Sequence, residues 1–150
     1  MIPFLASTLI WLMFFGLIVL WVIDGNIKKE TVIHALFSCL IAYAITELIK
    51  TFFPMLRPFQ FNGEMPLTLT TPMDGAFPSS HTAVGFALAV TILRHDRKVG
   101  ILYIIMAGLV GIARIIAHVH YPIDIFAGAL IGTVISRLTS SKHFARLLNR

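Results

Sequence analysis

Two histidines, one aspartate and three basic residues are the groups in this sequence best suited to phosphoryl chemistry. His81 follows Pro78, Ser79 and Ser80 at the head of an apolar stretch of small residues. Proline and serine in that position open a helix. The free N–H groups of a first turn, with the helix dipole, favour an anion, phosphate above all. An imidazole there can also give or take a proton near neutral pH. His120 and Asp124 stand four residues apart across the turn at Pro122. At that reach a carboxylate can hold an imidazole in the tautomer that exposes its other nitrogen. Lys50, Arg57 and Arg114 supply positive charge for phosphate oxygens. Two histidines allow one to attack phosphorus and the other to protonate the leaving oxygen.

These groups must be positioned by an unusual chain. Its 150 residues suffice for one domain, 57% of them are hydrophobic and 13% charged. A soluble domain of this size has too little interior to hide that much apolar surface. The apolar residues also run in long blocks, so the expectation is an all-α, polytopic membrane helical bundle. The net charge of +5 is read as loop charge that sets topology, with no nucleic-acid partner. Cys39, the single cysteine, lies inside an apolar block and matches no metal spacing.

Five spans are expected. Residues 2–23 are uncharged and long enough to cross a bilayer. They lack the basic start and small-residue cleavage site of a signal peptide, so a retained first span is expected. Residues 31–49 form the second, interrupted only by His34 and Glu47. Residues 50–78 carry five prolines and no sustained helical period, which marks a long loop. Its phenylalanines (Phe52, Phe53, Phe59, Phe61 and Phe77) suit a segment lying on the membrane interface. Residues 79–93, 99–119 and 122 to about 138 complete the set. Small residues at four-residue spacing (Ala83 and Ala87, Ala107 and Gly111, Gly128 and Gly132) are read as close-packing contacts. Trp11 and Trp21 are read as lipid-facing or interfacial.

Charge gives the orientation. One side of a five-span chain receives Lys28, Lys29, Arg94, Arg97, Lys98, Arg137, Lys142, Arg146 and Arg150; the other receives only Lys50, Arg57 and Arg114. The richer side is expected in the cytoplasm. The N-terminus and the long loop between the second and third spans are then outside, and the C-terminus inside. Arg114 falls within an apolar span, where a charge is costly and a functional role is the default. All three outer cations share their side with His81, His120 and Asp124. His34, His95 and His143 fall on the other side.

Lys50, six residues, then Arg57-Pro58 resembles the first signature of the type 2 phosphatidic acid phosphatases. Pro78-Ser79-Ser80-His81 resembles their second, usually written P-S-G-H, with Ser80 in place of glycine. Arg114, five residues, His120, three residues, Asp124 matches the third, with Ala113 where a serine often stands. The motifs cover residues 50–124, in order and on one expected membrane side. Six spans are common in the family; the element missing here would be N-terminal, away from the motifs.

The resemblance implies one phosphatase domain over residues 1–150, acting on a lipid phosphate or diphosphate at the outer face of a bacterial cytoplasmic membrane. Among its members the chain looks most like the undecaprenyl-diphosphate phosphatases. A phosphatidylglycerophosphate or phosphatidate phosphatase would use the same residues. The implied roles are His120 as nucleophile, forming a phosphohistidine, Asp124 as its orienter and His81 as general acid. Lys50, Arg57 and Arg114 would bind phosphate oxygens, assisted by the N–H groups of Ser79, Ser80 and His81. Glu47, three residues before Lys50, is expected to position that lysine; His118 and Pro58 are expected in supporting places. No metal or other cofactor is implied, since the cations take the charge-stabilising role. Two other classes remain open: a metal-binding membrane protein using His81, His118, His120 and Asp124, and a non-enzymatic membrane protein with decayed motifs.

Overall fold

The computed structural model describes residues 1–23 and 29–139. These fold into seven helices: α1 (Ile2–Ser7), α2 (Leu9–Ile23), α3 (Lys29–Phe52), α4 (Pro58–Asn62), α5 (Ser80–His95), α6 (Arg97–Ile116) and α7 (Pro122–Thr139). No strand occurs among the described residues. The protein is an all-α membrane bundle. The helices α3, α6 and α7 are each long and apolar enough to cross a bilayer; α2 is apolar but shorter. Expected cations Lys28, Lys142, Arg146 and Arg150, and His143, lie outside the described residues.

Helix α5 forms the axis. It packs on α3, α6 and α7, and Ala83, Ala87, Leu88, Ala89 and Ile92 are fully enclosed. Its small side chains make this possible. A Cβ on Gly132 would stand 2.1 Å from the Ala83 carbonyl oxygen, and one on Gly128 would stand 2.5 Å from that of Ser79. Backbone meets backbone there, as small-residue spacing requires. The outward faces remain apolar, with Phe15, Leu40, Leu102, Ile105, Phe126 and Leu130 exposed. In water that surface would be costly; hydrocarbon accepts it.

Two differences from the expected spans bear on function. Residues 2–23 do not form one helix but break at Thr8 into α1 and α2. The break leaves the Ala6 carbonyl free to accept from Arg114 Nη1 at 3.2 Å, and a buried guanidinium needs such an acceptor. Helix α6 stops at Ile116, not near residue 119, because His118 takes a left-handed conformation (φ 59°). That reversal aims the chain inward, burying Val119 and His120. The long loop is also less irregular than expected: α3 runs on to Phe52, and α4 lies within it. Phe52, Phe53 and Phe61 are exposed on this loop.

Candidate active site

The site forms at the end of the bundle where α3 finishes and α5 begins. Lys50 lies in the last turn of α3 and is buried. Its Nζ donates to Glu47 Oε1 at 2.9 Å and to Asp74 Oδ2. Arg57 has extended backbone, as a residue before proline must, and Pro58 starts α4. Gln60 Oε1 accepts the Arg57 N–H at 2.8 Å, closing the short helix back on itself. The Arg57 side chain is 1% exposed. Burial lowers its pKa and the Asp74 carboxylate opposes that; an arginine nonetheless stays charged.

All five N–H groups of the Arg57 guanidinium have acceptors. Nε donates to the Asp74 carbonyl at 2.9 Å. Nη2 donates to Asp74 Oδ1 at 2.9 Å and to the Gly75 carbonyl at 3.1 Å. Nη1 donates to the Val119 carbonyl at 2.8 Å and faces His120 Nε2 at 3.3 Å. Arg114, in the last turn of α6, gives Nη1 to Ala6 and points Nη2 at the same His120 nitrogen, also at 3.3 Å. Its Nε is buried without a protein partner.

The geometry fixes the His120 tautomer. A guanidinium offers only donors, so Nε2, facing two of them, carries the lone pair. Nδ1 then bears the proton and faces Asp124 Oδ2 at 3.4 Å. That carboxylate oxygen also accepts the Tyr121 N–H at 2.8 Å, and Asp124 is fully buried. Burial pushes the His120 pKa down to about 4, with the Arg114 and Arg57 charges adding to the fall and Asp124 opposing it. The imidazole is therefore neutral at ordinary pH, with an unprotonated nitrogen aimed into the site.

A cavity of about 440 Å³ joins these groups; Lys50, Arg57, Ser80, His81, Arg114 and His120 all line it. Glu47 lines it too. Four expected positions do not. Asp124 stands behind His120. Pro58 acts through α4. His118 turns outward to pair with Glu64 at 3.1 Å. Ser79 is enclosed, its N–H given to the Asp124 carbonyl at 3.1 Å, so that N–H is spent on joining α5 to α7 and does not face the cavity. Ser80, the residue in the glycine position, gives its hydroxyl to Glu47 Oε1 at 2.7 Å. Among the described residues no three His, Cys, Asp or Glu side chains converge as a metal-ligand group.

Sequence reasoning missed three contributors. Asp74 bridges Lys50 and Arg57, and those cations hold its carboxyl down to about 2 against the upward push of burial, the largest single effect. The Ala6 carbonyl anchors Arg114. Ser7, beside it, accepts the Leu69 N–H and lines the cavity. Asp74 is one of two acids in the long loop, the only advance signal it offered; a backbone carbonyl offers none.

A family model, the PAP2 superfamily, matches residues 31–147. The bacitracin transport permease protein BcrC of Bacillus licheniformis is 30% identical over 131 residues, 87% of this chain and 64% of the relative. An undecaprenyl-diphosphatase of Sulfolobus acidocaldarius is 39% identical over 103 residues, 68% of this chain and 50% of the relative. The chain thus spans roughly half to two thirds of the length of these curated relatives. The crystal structure of Aquifex aeolicus LpxE superposes with a TM-score of 0.74 at 28% identity, over 92% of this chain and 80% of that one. A PAP2-type phosphatidylglycerolphosphate phosphatase from Bacillus subtilis shares the fold, with a TM-score of 0.65 at 22% identity, over 91% of this chain and 71% of that one.

Proposed function

Because the chain belongs to the PAP2 superfamily, we propose that it is a membrane lipid phosphatase, one domain over residues 1–150, working through a phosphohistidine on His120. Its substrate is a lipid diphosphate, undecaprenyl diphosphate, cleaved to the lipid monophosphate and inorganic phosphate at the extracytoplasmic face. The observation that carries this reading is the setting of His120: Nδ1 against Asp124, and Nε2 unprotonated between two guanidinium groups. The substrate reading rests on the relatives named as undecaprenyl-diphosphatases. The side rests on the charge bias between the two ends of the bundle.

In the reaction, the terminal phosphoryl group enters between Arg57, Arg114 and Lys50. Its oxygens take N–H groups now directed at His120 Nε2, which releases that lone pair. Nε2 attacks phosphorus; the P–N bond forms as the P–O bond to the lipid phosphate breaks. His81, on the cavity wall, protonates the departing oxygen. Asp124 stabilises the positive charge on the ring. A water then attacks phosphorus, losing its proton to His81, and the P–N bond breaks to free phosphate and restore His120. The cations stabilise the equatorial oxygens in both steps.

The test is a phosphate-release panel in detergent across prenyl diphosphates, phosphatidate and phosphatidylglycerophosphate, with alkaline quenching and work-up to trap an acid-labile, base-stable phosphoenzyme. Fastest turnover of the prenyl diphosphate and a label lost in His120→Ala are expected. Preference for a phosphatidyl substrate would replace the substrate reading. Undiminished turnover by His120→Ala would sink the mechanism.

A further inference from the structure

Two of the three cations expected to hold phosphate already hold an anion. One oxygen of Asp74 accepts from Lys50 Nζ and the other from Arg57 Nη2. A carboxylate spans two cations in this way much as two oxygens of a phosphoryl group would. The bond count at Arg57 sharpens the point. Its five N–H groups meet five acceptors, three of them backbone carbonyls. The other two are His120 Nε2 and Asp74 Oδ1. A phosphoryl oxygen can reach Nη2 only by displacing Asp74 Oδ1 or the Gly75 carbonyl. The carbonyl is fixed by the chain path. The Asp74 side chain is 43% exposed, beside a buried Arg57, and belongs to a segment without helix or strand.

We propose that Asp74 is a specificity-determining residue: an internal anion seated in the phosphate cradle that only a multiply charged lipid phosphate displaces. The proposal deepens the phosphatase reading by naming what the site refuses. Most phospholipids around such a protein are phosphodiesters with one negative charge on phosphorus. Three unscreened cations at the membrane surface would collect them. Against Asp74, a singly charged phosphodiester exchanges one charge for one and gains nothing. A phosphomonoester or a terminal diphosphate brings two charges or more and wins the exchange. The carboxyl stays ionised across the working pH range, because Lys50 and Arg57 hold it well below its ordinary value despite burial.

The experiment compares Asp74→Asn, Asp74→Ser and Asp74→Glu with the unaltered chain, each as the full-length protein in detergent. Turnover of prenyl diphosphate is measured with and without added phosphatidylglycerol. In parallel, Trp11, on the cavity wall, reports binding of inorganic phosphate by fluorescence in a Trp21→Phe background. Removing the carboxylate should lower KM, tighten phosphate binding about tenfold, equivalent to one charge-assisted hydrogen bond, and make turnover sensitive to phosphatidylglycerol. Asp74→Glu should behave as the unaltered chain does. If Asp74→Asn and Asp74→Ser bind phosphate no more tightly, or raise KM with no phosphatidylglycerol inhibition, Asp74 merely positions the cations and the proposal fails. Should one neutral variant not fold, the other decides. Absence of turnover on any lipid phosphate, with tighter phosphate binding by the neutral variants, would overturn the phosphatase reading and leave the anion gate standing.

Discussion

The two ends of the bundle bury polar groups in opposite ways. Away from the cavity, α5 and α7 are joined by Thr91 and Ser136 at 2.9 Å, and α3 and α7 by Ser38 and Thr139 at 2.6 Å. These are neutral hydroxyls. Thr91 donates to the Ala87 carbonyl of its own helix, and of Ser38 and Thr139 one donates to the other while its partner donates to a carbonyl of its own helix, so these hydroxyls are satisfied without a cavity. At the other end Lys50, Arg57, Arg114 and Asp124 are buried with charge. Their pairing is incomplete: Arg114 Nε and Asp124 Oδ1 have no protein partner. At the end away from the cavity His34 Nδ1 is also buried without a partner, but among the described residues no Lys, Arg, Asp or Glu side chain is buried there. An end that leaves buried charged groups short of partners, around a cavity, keeps capacity for a ligand.

That contrast can be broken by substitution, beginning with the largest expected effect. His120→Ala should reduce phosphate release by at least about a thousandfold, as loss of a nucleophile does, while leaving the melting temperature in detergent nearly unchanged. A simple packing role would give the reverse. Arg114→Gln should cost about a hundredfold in kcat, the scale of losing a preorganised donor to the transition state. Steady-state kinetics would show whether the loss falls on kcat or only on KM.

The pH profile sharpens the comparison further. His120 must be unprotonated to attack, and its pKa is pushed down to about 4 from 6.5. Activity should therefore persist as pH falls through the ordinary histidine range, and the acid limb of kcat/KM should lie near 4. Because the Arg114 charge contributes to that depression, Arg114→Gln should move the limb upward. A limb fixed near 6.5 in both proteins would remove His120 from the attacking role. The smallest effect belongs to the opposite end. Ser136→Ala should cost about 0.6 kcal/mol of stability, the usual scale for a hydrogen bond between membrane helices, and leave turnover unchanged.

Much of this arrangement was legible beforehand, and the reasons are specific. Long uncharged blocks impose helices because backbone groups in hydrocarbon must bond within their own segment. The pairs Ala83 and Ala87, Ala107 and Gly111, Gly128 and Gly132 marked helices able to pack closely; that α5 meets α7 backbone to backbone came from the structure. Lys50, Arg57, Ser80, His81, Arg114 and His120 could be grouped because the charge bias put them on one membrane side and their three motifs resemble those of one family, and they do line one cavity. The spacing of the third motif already set His120 apart from His118, but not how the chain parts them. The left-handed turn at His118 sends one ring to Glu64 and the other inward.

The sequence by itself determined the fold class, the helices that carry the site and the residue types that converge there. The first two follow from hydropathy along one chain; the third follows from the charge bias and from what the resemblance of three short motifs implies. Only the tertiary structure decided how the charges are shared. Asp74 reaches Lys50 and Arg57 from 24 and 17 residues away, and Ala6 reaches Arg114 across 108. Ser80, which takes the place of a glycine, ties itself to Glu47 on α3. No periodicity encodes such pairings. They exist because a buried cation must find acceptors wherever the packed chain happens to offer them.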